Sequence, residues 1–161
     1  MMSKKVISGV NGWRMMVCVL AITLSTMAMA VQFVPYPGKR EATLINVEAP
    51  NLIFVTFDTD ATGFTRALRI RLPGIVIAKD TPQSDECERK AAQRAMSFTR
   101  DFLTSAKKIF VQDIRMENSA DEEAFSPILT DKGSLSAALE KEGIARSDTV
   151  DPKTPWCKRG G

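Results

Sequence analysis

Histidine is absent from the 161 residues of the chain, which also has only three cysteines, one tyrosine and two tryptophans. Without histidine, no Ser–His or Cys–His nucleophilic pair can form, and zinc loses one of its usual ligand types. The sequence has no glycine-rich loop of the kind that cradles phosphates, and no internal repeats or low-complexity tracts. These absences exclude histidine-dependent catalysis and phosphate-loop chemistry.

One long apolar run is present, close to the amino terminus. Residues 15–27 carry no charge and follow a positively charged start, and an Ala-Met-Ala sequence ends at Ala30, directly before Val31. This order is typical of a secretory signal peptide with its cleavage site. A transmembrane anchor is the alternative, but a span needs about 20 apolar residues and this run is shorter. We therefore expect residues 1–30 to be a signal peptide, and the protein to be secreted to a bacterial periplasm without a transmembrane segment.

The net positive charge of the chain comes from this first segment. The chain has 22 Lys and Arg against 19 Asp and Glu, and three of the basic residues, Lys4, Lys5 and Arg14, precede residue 31. Residues 31–161 then carry no formal net charge. Because nonspecific nucleic-acid binding depends on many Lys and Arg contacts to phosphates, this neutrality argues against nucleic acid as the main partner.

The remaining 131 residues suit one domain with one core. We expect an extended, proline-containing arm at residues 31–41, a domain at 42–146 and a tail at 147–161. Runs of β-branched and aromatic residues predict strands, and capping residues with apolar spacing predict helices. The predicted strands are 42–48, 51–57, 67–72, 107–115 and 124–130, and the predicted helices are approximately 85–104 and 134–142. This order predicts a mainly β protein with α-helices (α+β), a five-stranded OB-type barrel with two or three packed helices.

Two cysteines remain after removal of the signal, Cys87 and Cys157. An even number of cysteines in an exported chain suggests a disulfide. It would close a loop of about 70 residues, contribute about 4 kcal/mol in the chain-entropy model and tie the tail to the first helix. Two free thiols or a metal site are the alternatives.

Several framework motifs occur in a distinctive order. They are ALRIRLPGI at 67–75, CERKAAQRAMSFTRDFL at 87–103, KKIFVQDIR at 107–115, DKGSLSAALEKEGIAR at 131–146 and PWC at 155–157. In this order they resemble the staphylococcal nuclease (thermonuclease) family, especially its exported, Cys-containing members. The resemblance covers roughly residues 42–157 and implies the OB-type barrel of that family.

The resemblance also implies a calcium-dependent phosphodiesterase site. In the family, calcium binds to carboxylates from an Asp-Gly-Asp-Thr turn and an Asp-(Thr/Ala)-Pro-Glu turn. The Glu of the second turn acts on the attacking water, and two Arg side chains stabilise charge on the phosphoryl group. Hard cations prefer oxygen ligands and fixed positive charge stabilises such a transition state, so the chemistry requires these residue types.

Most of these positions are altered in this chain. Arg71 matches the first catalytic Arg, Asn51 stands where the first turn has an Asp, and Glu123 stands at the second Arg. Without a gap, Lys79 occupies the position of the Glu. A local insertion would instead align residues 80–83, Asp-Thr-Pro-Gln. Asp80 would then be a candidate metal ligand, but Gln83 would replace the Glu.

Five acidic residues have two interpretations. These residues are Asp58, Asp60, Asp121, Glu122 and Glu123. They either form a cation site or lie in solvated loops. Phe33 and Tyr36 either stack on a ligand or anchor the arm. Lys107 and Lys108 either contact phosphate or protect a strand edge from aggregation.

The sequence therefore predicts an exported, catalytically inactive nuclease-like domain that needs no cofactor. We expect it to bind protein partners as a binding or assembly module of a bacterial cell-envelope complex, such as a secretion or conjugation apparatus. One alternative is a divergent secreted nuclease that uses calcium, Arg71, Asp80 and acids from residues 116–123. The second alternative is a noncatalytic binder of single-stranded nucleic acid.

Overall fold

A computed structural model of the protein describes residues 33–57, 66–151 and 154–156. The predicted signal peptide, with Ala30 and Val31, lies outside these ranges. The strands of the described part are β1 (Val34–Ala49), β2 (Leu52–Thr56), β3 (Ala67–Arg71), β4 (Ile75–Ile77), β5 (Ile109–Met116), β6 (Glu123–Phe125), β7 (Ile128–Thr130), β8 (Gly133–Ser134) and β9 (Ala145–Ser147). Its helices are α1 (Glu86–Thr104) and α2 (Leu135–Lys141). Among the described residues, no helix combines the length and apolarity needed to cross a membrane.

Five strands close into a barrel. They are hydrogen-bonded in the order β1-β2-β3-β6-β5, and β5 pairs with β1 to complete the ring. The β3–β6 pairing is parallel and the others in the ring are antiparallel, so the barrel is mixed. This architecture, mainly β with α and an OB-like barrel, confirms the predicted fold class.

The barrel interior follows from the alternation of side chains along each strand. Ile53 and Val55 of β2 and Leu68 and Ile70 of β3 are fully buried, while their sequence neighbours face outward. Val111 of β5 joins them in the same core. Because each strand buries one face only, its opposite face is available for charged side chains.

Helix α1 begins and ends where the sequence predicts. Asp85 caps it by accepting a hydrogen bond from the Glu88 backbone N–H over 2.7 Å. Its buried residues are Ala92, Ala95, Thr99 and Leu103. The spacing of Ala91, Ala95, Phe98 and Phe102 in the sequence predicts a different apolar face, and the buried face is rotated from it by about one residue. The two phenylalanines are only partly buried.

The arm predicted at residues 31–41 is not separate from the barrel, at least from Val34 onward. Residues 34–42 of β1 pair with β5, and residues 43–49 pair with β2. Among the described strands, the first half of β1 has only β5 as a neighbour, and such an edge tolerates its two prolines. The barrel consequently begins before residue 42.

Two further boundaries differ from the prediction. Residues 75–77, which no predicted strand or helix covers, form β4 and pair with β9, and Ile75 and Ile77 both belong to the core. Pro127 splits the strand predicted at 124–130 into β6 and β7. At that break, the buried hydroxyl of Ser126 accepts from the Gln112 N–H over 3.1 Å and donates to the Gln112 carbonyl over 2.5 Å, replacing ladder bonds.

Candidate functional site

Four of the six candidate site positions line one groove. This central groove has a volume of about 680 Å³ and lies between the β1–β2 turn, the end of β3, β4 and α1. Asn51, Arg71, Lys79 and Asp80 all line it. Its apolar wall consists of Ile75, Val76, Ile77, Ala78, Ala92 and Met96. Residues far apart in the chain therefore lie around one groove.

The turn that carries Asn51 is held at two points. The Asn51 carbonyl accepts a hydrogen bond from the Leu72 N–H over 3.0 Å, which fixes the turn to the end of β3. The buried hydroxyl of Thr99 on α1 donates to the Pro50 carbonyl over 3.1 Å. These two bonds position Asn51 at the groove.

Arg71 and Glu123 form a bidentate ion pair at the side of the groove. Arg71 Nε lies 2.5 Å from Glu123 Oε1, and Arg71 Nη2 lies 3.2 Å from Glu123 Oε2. The parallel register of β3 and β6 aligns Arg69 with Glu123 and Arg71 with Phe125, so these side chains share the outer face of the barrel. The hydrogen bonds that Arg71 donates to Glu123 raise the pKa of the Arg71 guanidinium above its ordinary value.

Two other arginines engage the rest of the acidic loop. Arg69 pairs with Glu48 at 3.0 Å and with Glu122 at 3.1 Å. Arg66 donates to the carbonyl of Asp121 over 2.7 Å. The carboxylates of Glu122 and Glu123 are thus paired with arginines, whereas the carboxylate of Asp121 accepts hydrogen bonds from the backbone and side chain of Asn118. Asp58 and Asp60, proposed for the same site, lie outside the described residues.

The segment between β4 and α1 brings Lys79 and Asp80, but not Gln83, to the groove lining. The buried Ser84 hydroxyl donates to the Lys79 carbonyl over 2.7 Å and lies 3.0 Å from the Thr81 hydroxyl, which folds the segment into a tight turn. Gln83 is exposed on that turn. Of the two residues that the alternative alignments place at the position of the family's Glu, Lys79 lines the groove and Gln83 does not.

The residues that line the groove do not fit a calcium ion. Calcium takes six to eight oxygen ligands, several of them carboxylates. Among the described lining residues, the carboxylates are Asp80 and Glu48, and Glu48 is already paired with Arg69. Arg71 and Lys79 add positive charge to the same space. Within the described ranges, no cluster of three or more His, Cys, Asp or Glu residues could hold a metal.

The carboxy-terminal tail is fixed by Arg146. Its Nη1 and Nη2 donate to the carbonyls of Thr154 and Pro155 over 2.9 and 2.7 Å, and its guanidinium lies 4.1 Å from the centre of the Trp156 ring. Trp156 and Lys79 line a cavity of about 270 Å³, which places the tail next to the central groove.

The cysteines are only partly described. Cys87 lies in the first turn of α1, is half-buried and is disulfide-bonded. Cys18 and Cys157 lie outside the described residues, so the pairing of Cys87 with Cys157 stays a prediction.

The remaining candidate residues differ in their burial and contacts. Tyr36 packs against the core, as expected for an anchor of the arm. Phe33 is 52% exposed and contacts Phe125 edge to face, with ring centres 6.4 Å apart. Lys108 pairs with Glu41 at 3.0 Å on the surface. The sequence does not indicate a role for Phe125, because a single phenylalanine in a short, proline-broken strand carries no pattern.

No protein-family model matches the chain, and no curated protein is significantly similar to it. The fold and the groove therefore define an OB-like barrel protein whose outer face carries paired charges. The resemblance to the thermonuclease family rests on the sequence motifs.

Proposed function

We propose that the protein is an exported, catalytically inactive nuclease-like barrel that binds protein partners. Its proposed setting is the periplasm, as an assembly module of a cell-envelope complex such as a secretion or conjugation apparatus. The bidentate pair of Arg71 with Glu123 is the observation that supports this function best.

Phosphoryl transfer requires positive charge that is free to meet the charge developing on the substrate. Both Nε and Nη2 of Arg71 already bind the Glu123 carboxylate. A phosphate that approached Arg71 would have to displace this carboxylate and would be repelled by it. Glu123, at the position of the family's second Arg, therefore removes the positive charge of that Arg and neutralises the charge of Arg71.

Activation of water is impaired as well. A general base must reach the water that it deprotonates, and the Glu of the family does so from the position that Lys79 occupies here. Lys79 supplies a hydrogen-bond donor and positive charge at that point in place of a carboxylate. Asp80 remains in the groove, but its Oδ2 accepts from Gln93 Nε2 at 3.5 Å.

The same groove suits a protein segment. It combines an apolar wall with a rim of Asn51, Lys79 and Asp80, and protein interfaces commonly place a polar rim around an apolar centre. Its charged rim residues can set the orientation of a partner. A nucleic-acid ligand is less favourable, since residues 31–161 are formally neutral.

A nuclease assay tests the loss of catalysis. Purified protein comprising residues 31–161 is incubated with single-stranded DNA and calcium, and we expect no cleavage above the buffer background. Calcium-dependent cleavage that disappears in Arg71→Ala or Asp80→Ala would instead establish the nuclease alternative. Without cleavage, a salt titration of binding to the same DNA separates a nucleic-acid binder from a protein-binding module.

The partner is sought by crosslinking capture from the cell envelope. We expect Lys79→Glu, which changes an exposed residue at the groove rim, to reduce capture of the partner. Lys107→Glu is the matched control, because Lys107 is also exposed but lies after α1 and does not line the central groove. Equal losses in both variants would show that overall charge, not the groove, controls capture.

A further inference from the structure

A second concavity lies on the barrel surface near the start of β1. It has a volume of about 410 Å³ and shares none of its described lining residues with the central groove. We call it the Phe33 patch. Its residues are Phe33, Pro73, Asp113, Arg115, Phe125 and Pro127.

Rigid apolar groups form most of the patch. Phe33 and Phe125 meet edge to face at an interplanar angle of 68°. Pro73 and Pro127 flank them, and a proline ring loses little conformational freedom when a ligand covers it. Phe33 is the most exposed large apolar side chain described, so the patch presents an open aromatic surface.

Among the described residues that line this patch, Arg115 is the only one with a positive charge. The β5–β6 register places it opposite Phe125. In the described part of the chain, its guanidinium has no hydrogen bond or ion pair, in contrast to Arg69 and Arg71.

The neighbouring carboxylate is already engaged. Asp113 accepts hydrogen bonds from the Gly38 N–H over 2.9 Å and from Gln112 Nε2 over 3.1 Å. These bonds, and to a smaller extent the charge of Arg115, lower the pKa of Asp113. Arg115 is therefore able to pair with a carboxylate from another molecule.

We propose that the Phe33 patch binds an extended segment of a partner protein in which an aromatic or large apolar side chain is followed by a carboxylate side chain. The ring fills the space between Phe33 and Phe125, and the carboxylate pairs with Arg115. This inference deepens the proposed protein-binding function and rests on it. Nucleic acid is the less favoured occupant, because one arginine faces the patch while the adjoining loop carries Glu117, Asp121 and Glu122.

The test uses two peptide pools and one oligonucleotide. The pools contain acetylated, amidated tetrapeptides with random flanking residues around a fixed Phe-Asp or Phe-Asn centre, and the oligonucleotide is oligothymidylate. Binding to residues 31–161 is followed by NMR chemical shifts. We expect both pools to shift resonances of Phe33, Arg115 and Phe125, the Phe-Asp pool with about two- to five-fold higher affinity, as for an exposed ion pair.

Three variants define the outcome. Arg115→Gln should abolish the preference for Phe-Asp, Phe33→Ala should weaken both pools, and Arg100→Gln, an exposed change on α1, should alter neither. Phe33 is exposed, so its truncation leaves the core intact. Shifts confined to Asn51, Lys79 and the central groove would overturn the inference and leave the proposed function standing. Binding of oligothymidylate alone would overturn both, and binding of no probe at the patch would overturn the inference.

Discussion

Arg71 and Glu123, 52 residues apart in the chain, hold each other in a two-point ion pair on the outer face of the barrel. The parallel pairing of β3 with β6 brings them together, and both side chains are more than one third exposed. Under the proposed family alignment, Glu123 would thus replace one catalytic arginine and neutralise the other, Arg71.

Removal of the Glu123 charge should release Arg71. We expect Glu123→Gln to raise the affinity for oligothymidylate at low salt by about two- to five-fold, the range of an exposed charge pair, while calcium-dependent cleavage stays absent. Fluorescence anisotropy over a range of salt concentrations measures the change. Glu122→Gln is the matched control on the same loop, since Glu122 pairs with Arg69 and is far more exposed. Equal effects of both variants would indicate only a change in overall charge.

Restoration of carboxylates should create a calcium site if the family alignment is right. We expect Asn51→Asp combined with Lys79→Glu to be stabilised by calcium, because both positions line the groove with Asp80. A ligand at ten times its Kd adds about 1.4 kcal/mol to the free energy of unfolding. Thermal unfolding with and without calcium measures this stabilisation. Asn51→Asp combined with Lys79→Gln, which has one carboxylate fewer, should respond less, and an equal response would contradict the alignment of Lys79.

The sequence was sufficient for the barrel and for α1, because strand alternation and capping are local properties. Alternation in ALRIRL also put Arg69 and Arg71 on one face, as observed. The acids that bind them could not be assigned, since the β3–β6 pairing joins segments more than fifty residues apart. The short strands β4 and β9 escaped detection because three residues carry too little periodicity.

The hydroxyl of Thr99 should be important for stability. Thr99→Val keeps the shape of the buried side chain but leaves the Pro50 carbonyl without its donor. A buried polar group that loses its partner costs about 1–3 kcal/mol. Denaturant unfolding should show a loss in this range. Thr104→Val, the same substitution at an exposed position of α1, should cost less, and equal costs would attribute the loss to helix propensity.

Asp113 should make stability depend on acid pH. It is the only described non-glycine residue with a positive φ, 52°, and its carboxylate accepts the Gly38 N–H. This bond lowers the pKa of Asp113 in the folded state, so its contribution is present above the unfolded-state pKa near 4 and is lost as pH falls through the folded value. We expect Asp113→Asn to be destabilised at pH 7, with the difference from the parent shrinking below pH 4. Thermal unfolding between pH 2 and pH 7 checks this, and a constant difference would contradict it.

The tail should be held by two independent anchors, Arg146 and the predicted Cys87–Cys157 disulfide. In residues 31–161, Trp156 is the only tryptophan, so its fluorescence reports on the tail. We expect Arg146→Ala to move Trp156 emission to longer wavelength, because the ring loses the guanidinium over its face and the carbonyls of Thr154 and Pro155 lose their donors. Arg146→Lys keeps the charge without the two-point bond and should give an intermediate shift.

Reduction of the disulfide separates the two anchors. We expect a reductant to increase the emission shift and the protease sensitivity of the tail more in Arg146→Ala than in the parent protein, because the parent keeps its second anchor. Alkylation of the unreduced protein followed by mass spectrometry should find Cys87 and Cys157 unmodified. Labelling of both residues would contradict their pairing. An equal effect of reductant in both proteins would show that Arg146 does not hold the tail independently.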